Sequence, residues 1–280
     1  MYPSPDGNKI AIIGDWGAGV ILNSEDGKTE PFAAPISLVR FFNWFPDSRQ
    51  VLIGSDFGNL LLATPHNGEY IPLALPGYGG IDGAVASPQG DKVLYSLRGE
   101  ITTPVEVWVV NADGRDARLL FNTPGQAYNF AWSPDGKRVA FFGDGWMLLD
   151  IDNTTPHKIG DNLGSAQCYF MPPLWSPDSK LLAVVDTTIS NSFCNGWNDD
   201  VFKGTNINLV DVESGKVRPL IPDGSTGNID PAWSPDGSQI VFVSNRSGAP
   251  EIWAVKVVGT GLRQITQIGQ YVRYPYWRRP

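Results

Sequence analysis

The chain has 280 residues, a formal charge of −8 and a pI near 4.7, with 42% hydrophobic residues, 31 Gly and 23 Pro. No Lys/Arg run exceeds two residues, which excludes the concentrated basic surface that nucleic acid requires. No stretch approaches the ~18 apolar residues of a membrane-spanning helix. Ten Trp, nine Tyr and thirteen Phe can fill a sizeable core, and evenly spread Gly and Pro fit many turns rather than disorder.

The chain opens on Met1-Tyr-Pro-Ser-Pro-Asp-Gly7, with neither a charged region nor an apolar signal core. Because this is already a turn, we expect a leader or a further domain upstream. The same turn returns as Trp44-Phe-Pro-Asp-Ser48, Ala86-Ser-Pro-Gln-Gly90, Trp132-Ser-Pro-Asp-Gly136, Trp175-Ser-Pro-Asp-Ser179 and Trp233-Ser-Pro-Asp-Gly237. Its second prolines stand at 5, 46, 88, 134, 177 and 235, so the gaps are 41, 42, 46, 43 and 58 residues. A period in the forties, marked by a turn and followed by short apolar runs, predicts a β-propeller. Pro sets the first corner, Asp tolerates the second, Gly supplies the positive φ, and the Ser hydroxyl bonds a nearby backbone N–H. The Trp that ends the preceding strand is expected to pack between neighbouring repeats.

Each unit reads as four strands, clearest at the end of the chain: Asn228–Trp233, Gln239–Ser244, Glu251–Val255 and Leu262–Thr266. Turn residues between the third and fourth strands recur near 24–27, 66–68, 111–114, 152–154, 213–215 and 258–261, which makes six blades. The predicted blades cover 1–34, 38–74, 81–121, 128–159, 169–221 and 229–266. Blade 1 lacks a first strand, and Trp277 lies 44 residues after Trp233. We therefore expect residues 271–280 to supply that strand, so that a single six-bladed, all-β propeller of four antiparallel strands per blade closes on itself.

Blade 5 carries an insertion, 187–204, between its second and third strands. Long loops inside compact domains are uncommon and often functional. Cys194 lies in this insertion and Cys168 just before the blade, on the same face. They are either a disulfide, which would imply an oxidising compartment, or two unrelated thiols.

Catalytic signals are sparse. The two histidines, His66 and His157, map to outer hairpins, which argues against a His-based triad or metal cluster. No phosphate loop or nucleophile elbow is present. The repeated Asp6, Asp135, Asp178 and Asp236 belong to the turn. Asp186, Asp199 and Asp200 could offer oxygens to calcium, but no ligand spacing supports it and a solvated acidic loop is expected. We thus expect neither cofactor nor metal. Where the first strands begin, residues differ between repeats: Arg40, Asp82, Asn129, Tyr169, Asp230 and Arg273. The loops after the second strands add Trp16, Phe57, Trp146, Phe193 and Trp197 on the same face. Such a mixture suits recognition of a protein, peptide or glycan. The alternative for Trp16 and Trp146 is packing within their blades.

The segment Ile229-Asp-Pro-Ala-Trp-Ser-Pro-Asp-Gly-Ser-Gln-Ile-Val-Phe-Val-Ser-Asn-Arg-Ser-Gly248, followed by Glu251-Ile-Trp, resembles the repeat of TolB-like (WD40-like) β-propellers. The resemblance is strongest in blades 4 to 6. It implies the propeller fold and leaves function open, since the family includes a periplasmic protein-binding hub, gating propellers of peptidases, sensor domains of kinases and some oligogalacturonate lyases. The lyases imply a histidine-rich metal site that two histidines cannot supply. The expectation is a noncatalytic, monomeric, extracytoplasmic binding module, with a lyase or hydrolase and a purely structural assembly ring as alternatives.

Overall fold

The structure is a computed structural model that describes residues 2–13, 18–33, 39–55, 59–73, 80–98, 104–160, 163, 172–187, 204–222, 227–270 and 272–277. Residues 1–132 and 133–278 form two compact units.

Six sheets follow one another along the chain, each of four strands in sequence order. The first holds β1 (Tyr2–Pro3), β2 (Lys9–Ile13), β3 (Ala18–Asn23) and β4 (Thr29–Ala33). The second holds β5 (Val39–Trp44), β6 (Val51–Ser55), β7 (Leu60–Thr64) and β8 (Glu69–Pro72). The third is β9 (Gly80–Ala86), β10 (Lys92–Arg98), β11 (Val105–Asn111) and β12 (Arg118–Thr123). The fourth is β13 (Tyr128–Trp132), β14 (Arg138–Gly143), β15 (Gly145–Asp150) and β16 (His157–Lys158). The fifth comprises β17 (Leu174–Trp175), β18 (Leu181–Thr187), β19 (Thr205–Asp211) and β20 (Val217–Pro219). The sixth comprises β21 (Asn228–Trp233), β22 (Gln239–Ser244), β23 (Glu251–Lys256) and β24 (Arg263–Gln264). The second strands are apolar on both faces, as in Lys92-Val-Leu-Tyr-Ser-Leu97, where all but the first residue is buried. Such a strand can sit only between two packed layers.

Within the first unit, Ala11, Ile21 and Phe32 pack with Phe42, Val51 and Ile53, joining the first two sheets. Phe45, Leu52 and Leu62 pack with Ile81, Val93 and Tyr95, joining the second and third. In the second unit, Val185, Ile207 and Leu220 meet Ile229, Phe242 and Val255 between the fifth and sixth sheets.

The turns explain the repeat chemically. Ser4, Ser133, Ser176 and Ser234 each donate a 2.6 Å hydrogen bond to Asp6, Asp135, Asp178 and Asp236. Each serine oxygen also accepts the amide of Lys9, Arg138, Leu181 or Gln239 at 2.9 Å. Gly7, Gly90, Gly136 and Gly237 close these turns at φ between 70° and 74°. The degenerate third copy has Gln89 in the Asp position, and there Asp91 accepts the Ser87 hydroxyl at 2.7 Å instead. In the second and fifth copies serine replaces the glycine at positive φ, 56° for Ser48 and 62° for Ser179. Their hydroxyls accept the amides of Asp6 (3.1 Å) and Asp135 (3.2 Å) from the preceding turn, binding one repeat to the next.

The strand-ending tryptophans also reach backwards. Trp132 donates its indole N–H to the Val85 carbonyl (3.3 Å), Trp233 to Leu174 (3.0 Å) and Trp277 to Ala232 (3.1 Å). Trp277 thus meets the sixth sheet as Trp233 meets the fifth. Its segment nevertheless departs from the expected closing strand. Residues 272–277 form no strand, and the place beside β2 is held by β1, with Tyr2 opposite Ala11 and Pro3 opposite Ile10. Among its described residues, 272–277, the tail is held to β21 by bonds that involve side chains.

Candidate recognition face

Four strands in sequence order place the Ser-Pro-Asp-Gly turns and third hairpins at one end of each sheet. The loops after second strands, and the connections into the next first strand, lie at the other end. At that end three of the first strands, β5, β9 and β21, are bulged. Val39 and Phe41 pair with the adjacent Ser55 and Gly54, leaving Arg40 as an extra residue. Ile81 and Gly83 face the adjacent Leu97 and Ser96, so Asp82 is extra in β9. In β21, Asp230 and Pro231 stand between Ile229, opposite Val243, and Ala232, opposite Val241. A bulge re-aims a side chain out of the pleat and bends the strand. Asn129 (φ 57°), Asp230 (φ 50°) and Tyr274 (φ 53°) take the left-handed conformation three residues before Trp132, Trp233 and Trp277. Asn and Asp are the residues that tolerate it best after Gly.

These positions differ in what they do with their charge. Asp82 forms an ion pair with Arg98 at 3.0 Å, half exposed on the arginine side. Asp230 and Arg273 are brought together and largely consumed by one another. Their side chains are 3% and 13% exposed, Arg273 Nε and Nη2 both donate to the carboxylate, and the Tyr274 amide adds a 3.2 Å bond. The Arg273 guanidinium lies 4.8 Å from the Tyr274 ring centre. This pair fastens the tail to the bulge of β21.

Trp146 is a correction. Expected among the loop aromatics, it is 2% exposed and packs edge-on against Phe142 at 5.4 Å, its partner across the β14–β15 ladder. Trp146 and Leu148 lie two apart on one strand, and both face inward. Tyr169, Trp16, Phe57, Phe193, Trp197, Cys168 and Cys194 lie outside the described residues, as does most of the insertion, which leaves β18 at Thr187 and enters β19 at Thr205. His66 is exposed and meets Glu30 at 3.2 Å, while His157 is exposed as the first residue of β16 rather than in the hairpin before it. Among the described residues, no group of three or more His, Cys, Asp or Glu is placed to share a metal ion.

A polar network missed by the sequence reading occupies this end of the fifth and sixth sheets. Arg246 donates to Asn228 (2.9 Å) and Ser244 (3.1 Å), and Asn228 donates to Asn206 (3.3 Å). Asn208 reaches Asp186 at 3.4 Å. The Arg246 guanidinium covers Trp253 at 5.2 Å and Phe242 at 5.8 Å. Beside it, Glu251 is 3% exposed, accepts the Thr266 hydroxyl, and accepts the Gly269 amide at 2.7 Å. These bonds, Thr266 foremost, hold its carboxyl below the ordinary glutamate range. The available sequence signals were Asp230-Pro231 inside a strand, where proline marks a bulge, and the Asn245-Arg-Ser-Gly248 break after β22.

Six sheets of four antiparallel strands, built on one recurring turn, define a propeller-type all-β protein. No protein-family model matches the chain. The Tol-Pal system protein TolB of Nitratidesulfovibrio vulgaris is 29% identical over 145 residues, 51% of this chain and 29% of that protein, so the match spans less than a third of the relative. The crystal structure of TolB from Acinetobacter baumannii superposes with a TM-score of 0.60 at 17% identity, covering 99% of this chain and 68% of that one. An oligogalacturonate lyase in complex with manganese gives a TM-score of 0.69 at 14% identity, over 95% of this chain and 76% of the lyase. In fold, the chain is a TolB-like β-propeller.

Proposed function

We propose that this propeller module is a noncatalytic binding unit for a protein, peptide or glycan, with the ligand taken at the end bearing the first-strand bulges. The observation that carries this reading is a contrast between the two ends. The Ser-Pro-Asp-Gly turns repeat one self-satisfied pattern of hydrogen bonds. The bulge and left-handed positions vary between repeats, with Arg40, Asn129 and an aspartate at 82 and 230. Register shifts in first strands, which re-aim side chains out of the pleat, are a reason to look for function at that end. The likeness to TolB proteins supports a binding role and a place outside the cytoplasm.

The test is binding of the chain to immobilised peptides and acidic and neutral oligosaccharides, with Asp82→Ala and Asn129→Ala compared against Asp236→Ala at the other end. Loss of a retained ligand in the first two variants only supports the reading; equal loss in all three defeats it. The fold likeness to an oligogalacturonate lyase favours a second reading, a polysaccharide-cleaving enzyme using Asp and Arg residues at the same end. Incubation with oligogalacturonate, with and without manganese, would establish it by the appearance of unsaturated products.

A further inference from the structure

The third strands of the third and sixth sheets carry the same pair two residues apart, Glu106 and Trp108 in β11 and Glu251 and Trp253 in β23. Each tryptophan faces an aromatic residue across the ladder, Tyr95 for Trp108 and Phe242 for Trp253. In the third sheet the Glu106 carboxylate accepts the Trp108 indole N–H at 2.9 Å. In the sixth sheet the same acid is turned away. Glu251 holds the Thr266 hydroxyl and the Gly269 amide, and the Trp253 indole nitrogen is buried with no hydrogen-bond partner. Residues two apart on a strand share a face, so Glu251 stands to Trp253 in the strand as Glu106 stands to Trp108.

We propose that Glu251 is a two-position latch. In one position it accepts the Thr266 hydroxyl and the Gly269 amide; in the other it accepts the Trp253 indole N–H and frees the Gly269 end of the connection, while Ile252 still holds Ile265 (2.8 Å) and Thr266 (2.9 Å). Each position satisfies donors that the other leaves unserved: the Thr266 hydroxyl and Gly269 amide in the first, the Trp253 indole in the second. A buried donor without a partner is costly, which keeps the two arrangements in competition. The face of Trp253 lies under Arg246, which bonds Asn228 and Ser244, so the latch joins the loop after β22 to the connection after β24. That connection exposes Ile268, 56% accessible and adjacent to Gly269, and this is the side chain that the latch positions.

Hydrogen exchange followed by NMR tests this on the full chain, with the Trp253 indole signal assigned by its loss in Trp253→Phe. Thr266→Val removes the hydroxyl that favours the first position. The latch requires the Gly269 amide to exchange at least about tenfold faster and the Trp253 indole at least about tenfold slower, since a charge-assisted hydrogen bond replaces none. Thr266→Ser, which keeps the hydroxyl, should behave as wild type. Glu251→Ala should free Gly269 without slowing the indole. Faster exchange at Gly269 with an unchanged indole in Thr266→Val overturns the proposal, and so does no change at either site. The wild-type protein supplies a reading that needs no variant to fold: relaxation dispersion at the Gly269 amide and the Trp253 indole should give one common rate, and unrelated rates overturn the latch.

Discussion

Trp233 donates its indole N–H to the carbonyl of Leu174 at 3.0 Å, across 59 residues of chain. The bond joins the end of one first strand to the end of the previous one. Trp233→Phe keeps most of the ring and loses the bond, which should cost about 1 kcal/mol. Trp233→Ala removes the packing as well and should cost roughly 3 kcal/mol, less than full burial would give because this side chain is only partly buried. Urea denaturation of both variants checks the order. An equal loss in the two would mean that the hydrogen bond, not the ring, holds the repeats.

Ser179 trades backbone strain for a contact between repeats. Ser179→Ala keeps the left-handed strain and deletes the bond to the Asp135 amide, so it should destabilise by about 1–2 kcal/mol. Ser179→Gly loses the same bond but relieves the strain, and should lie within about 1 kcal/mol of wild type. Thermal or chemical denaturation separates them, and identical stabilities would refute the trade.

Asp91 stands in for the missing turn carboxylate. Asp91→Ala should cost about 1 kcal/mol by stranding the Ser87 hydroxyl. Adding Gln89→Asp, which recreates the turn of the other repeats, should recover most of it. Failure of that second change to rescue would show that Ser87 does not need the carboxylate.

Burial of the Asp230–Arg273 pair makes its loss asymmetric. Arg273→Gln leaves a carboxylate 3% exposed without its cation and should cost about 3 kcal/mol, whereas Asp230→Asn combined with Arg273→Gln should cost less than the two single changes summed. A double-mutant cycle with no coupling would contradict the pairing. Cleavage by a protease between 270 and 277 should accelerate in the single arginine variant.

Acid should act through the turns. Hydrogen bonds from Ser234 and from the Ser238 amide lower Asp236 from the ordinary 3.8 to about 2, and Asp178 is lowered by Ser176 and the Lys180 amide. A carboxyl whose folded pKa is depressed stabilises fully above its unfolded value and loses that contribution as the pH falls through its folded value. The stability gap between wild type and Asp236→Asn should therefore be constant near neutrality and close between pH 3.8 and about 2. A gap that persists below that window would remove the carboxylate from the explanation.

The repeat was legible because its turn is chemically specific: glycine at positive φ, serine bridging to aspartate, and tryptophan after an apolar run each leave a fixed letter. The bulges were not, because one extra residue in Val39-Arg-Phe41 or Ile81-Asp-Gly83 barely disturbs the alternation that marks a strand. The identities Arg40, Asp82, Asn129 and Asp230 stood out through their variation, but which of them spends its charge internally depends on a partner distant in sequence, as Arg273 is for Asp230. Trp146 was ambiguous because a tryptophan beside a tight hairpin reads the same whether it faces Phe142 or solvent. The tail misled for a related reason. Its spacing matches a first strand, and its tryptophan bonds as one, yet its described residues 272–277 form no strand and are held through side chains.

The backward reach of the tryptophans gives the array a polarity. Trp132, Trp233 and Trp277 each supply a donor to the repeat before them and ask nothing in return through that bond. Shortening the chain from its C-terminal side would bare a backbone carbonyl, which solvent can serve. Shortening it from the N-terminal side would strand an indole N–H inside a half-built interface, where nothing serves it. Nested truncations should thus be tolerated unequally from the two directions, and engineering that grafts or swaps repeats should cut ahead of a carbonyl-bearing strand together with the tryptophan that reads it.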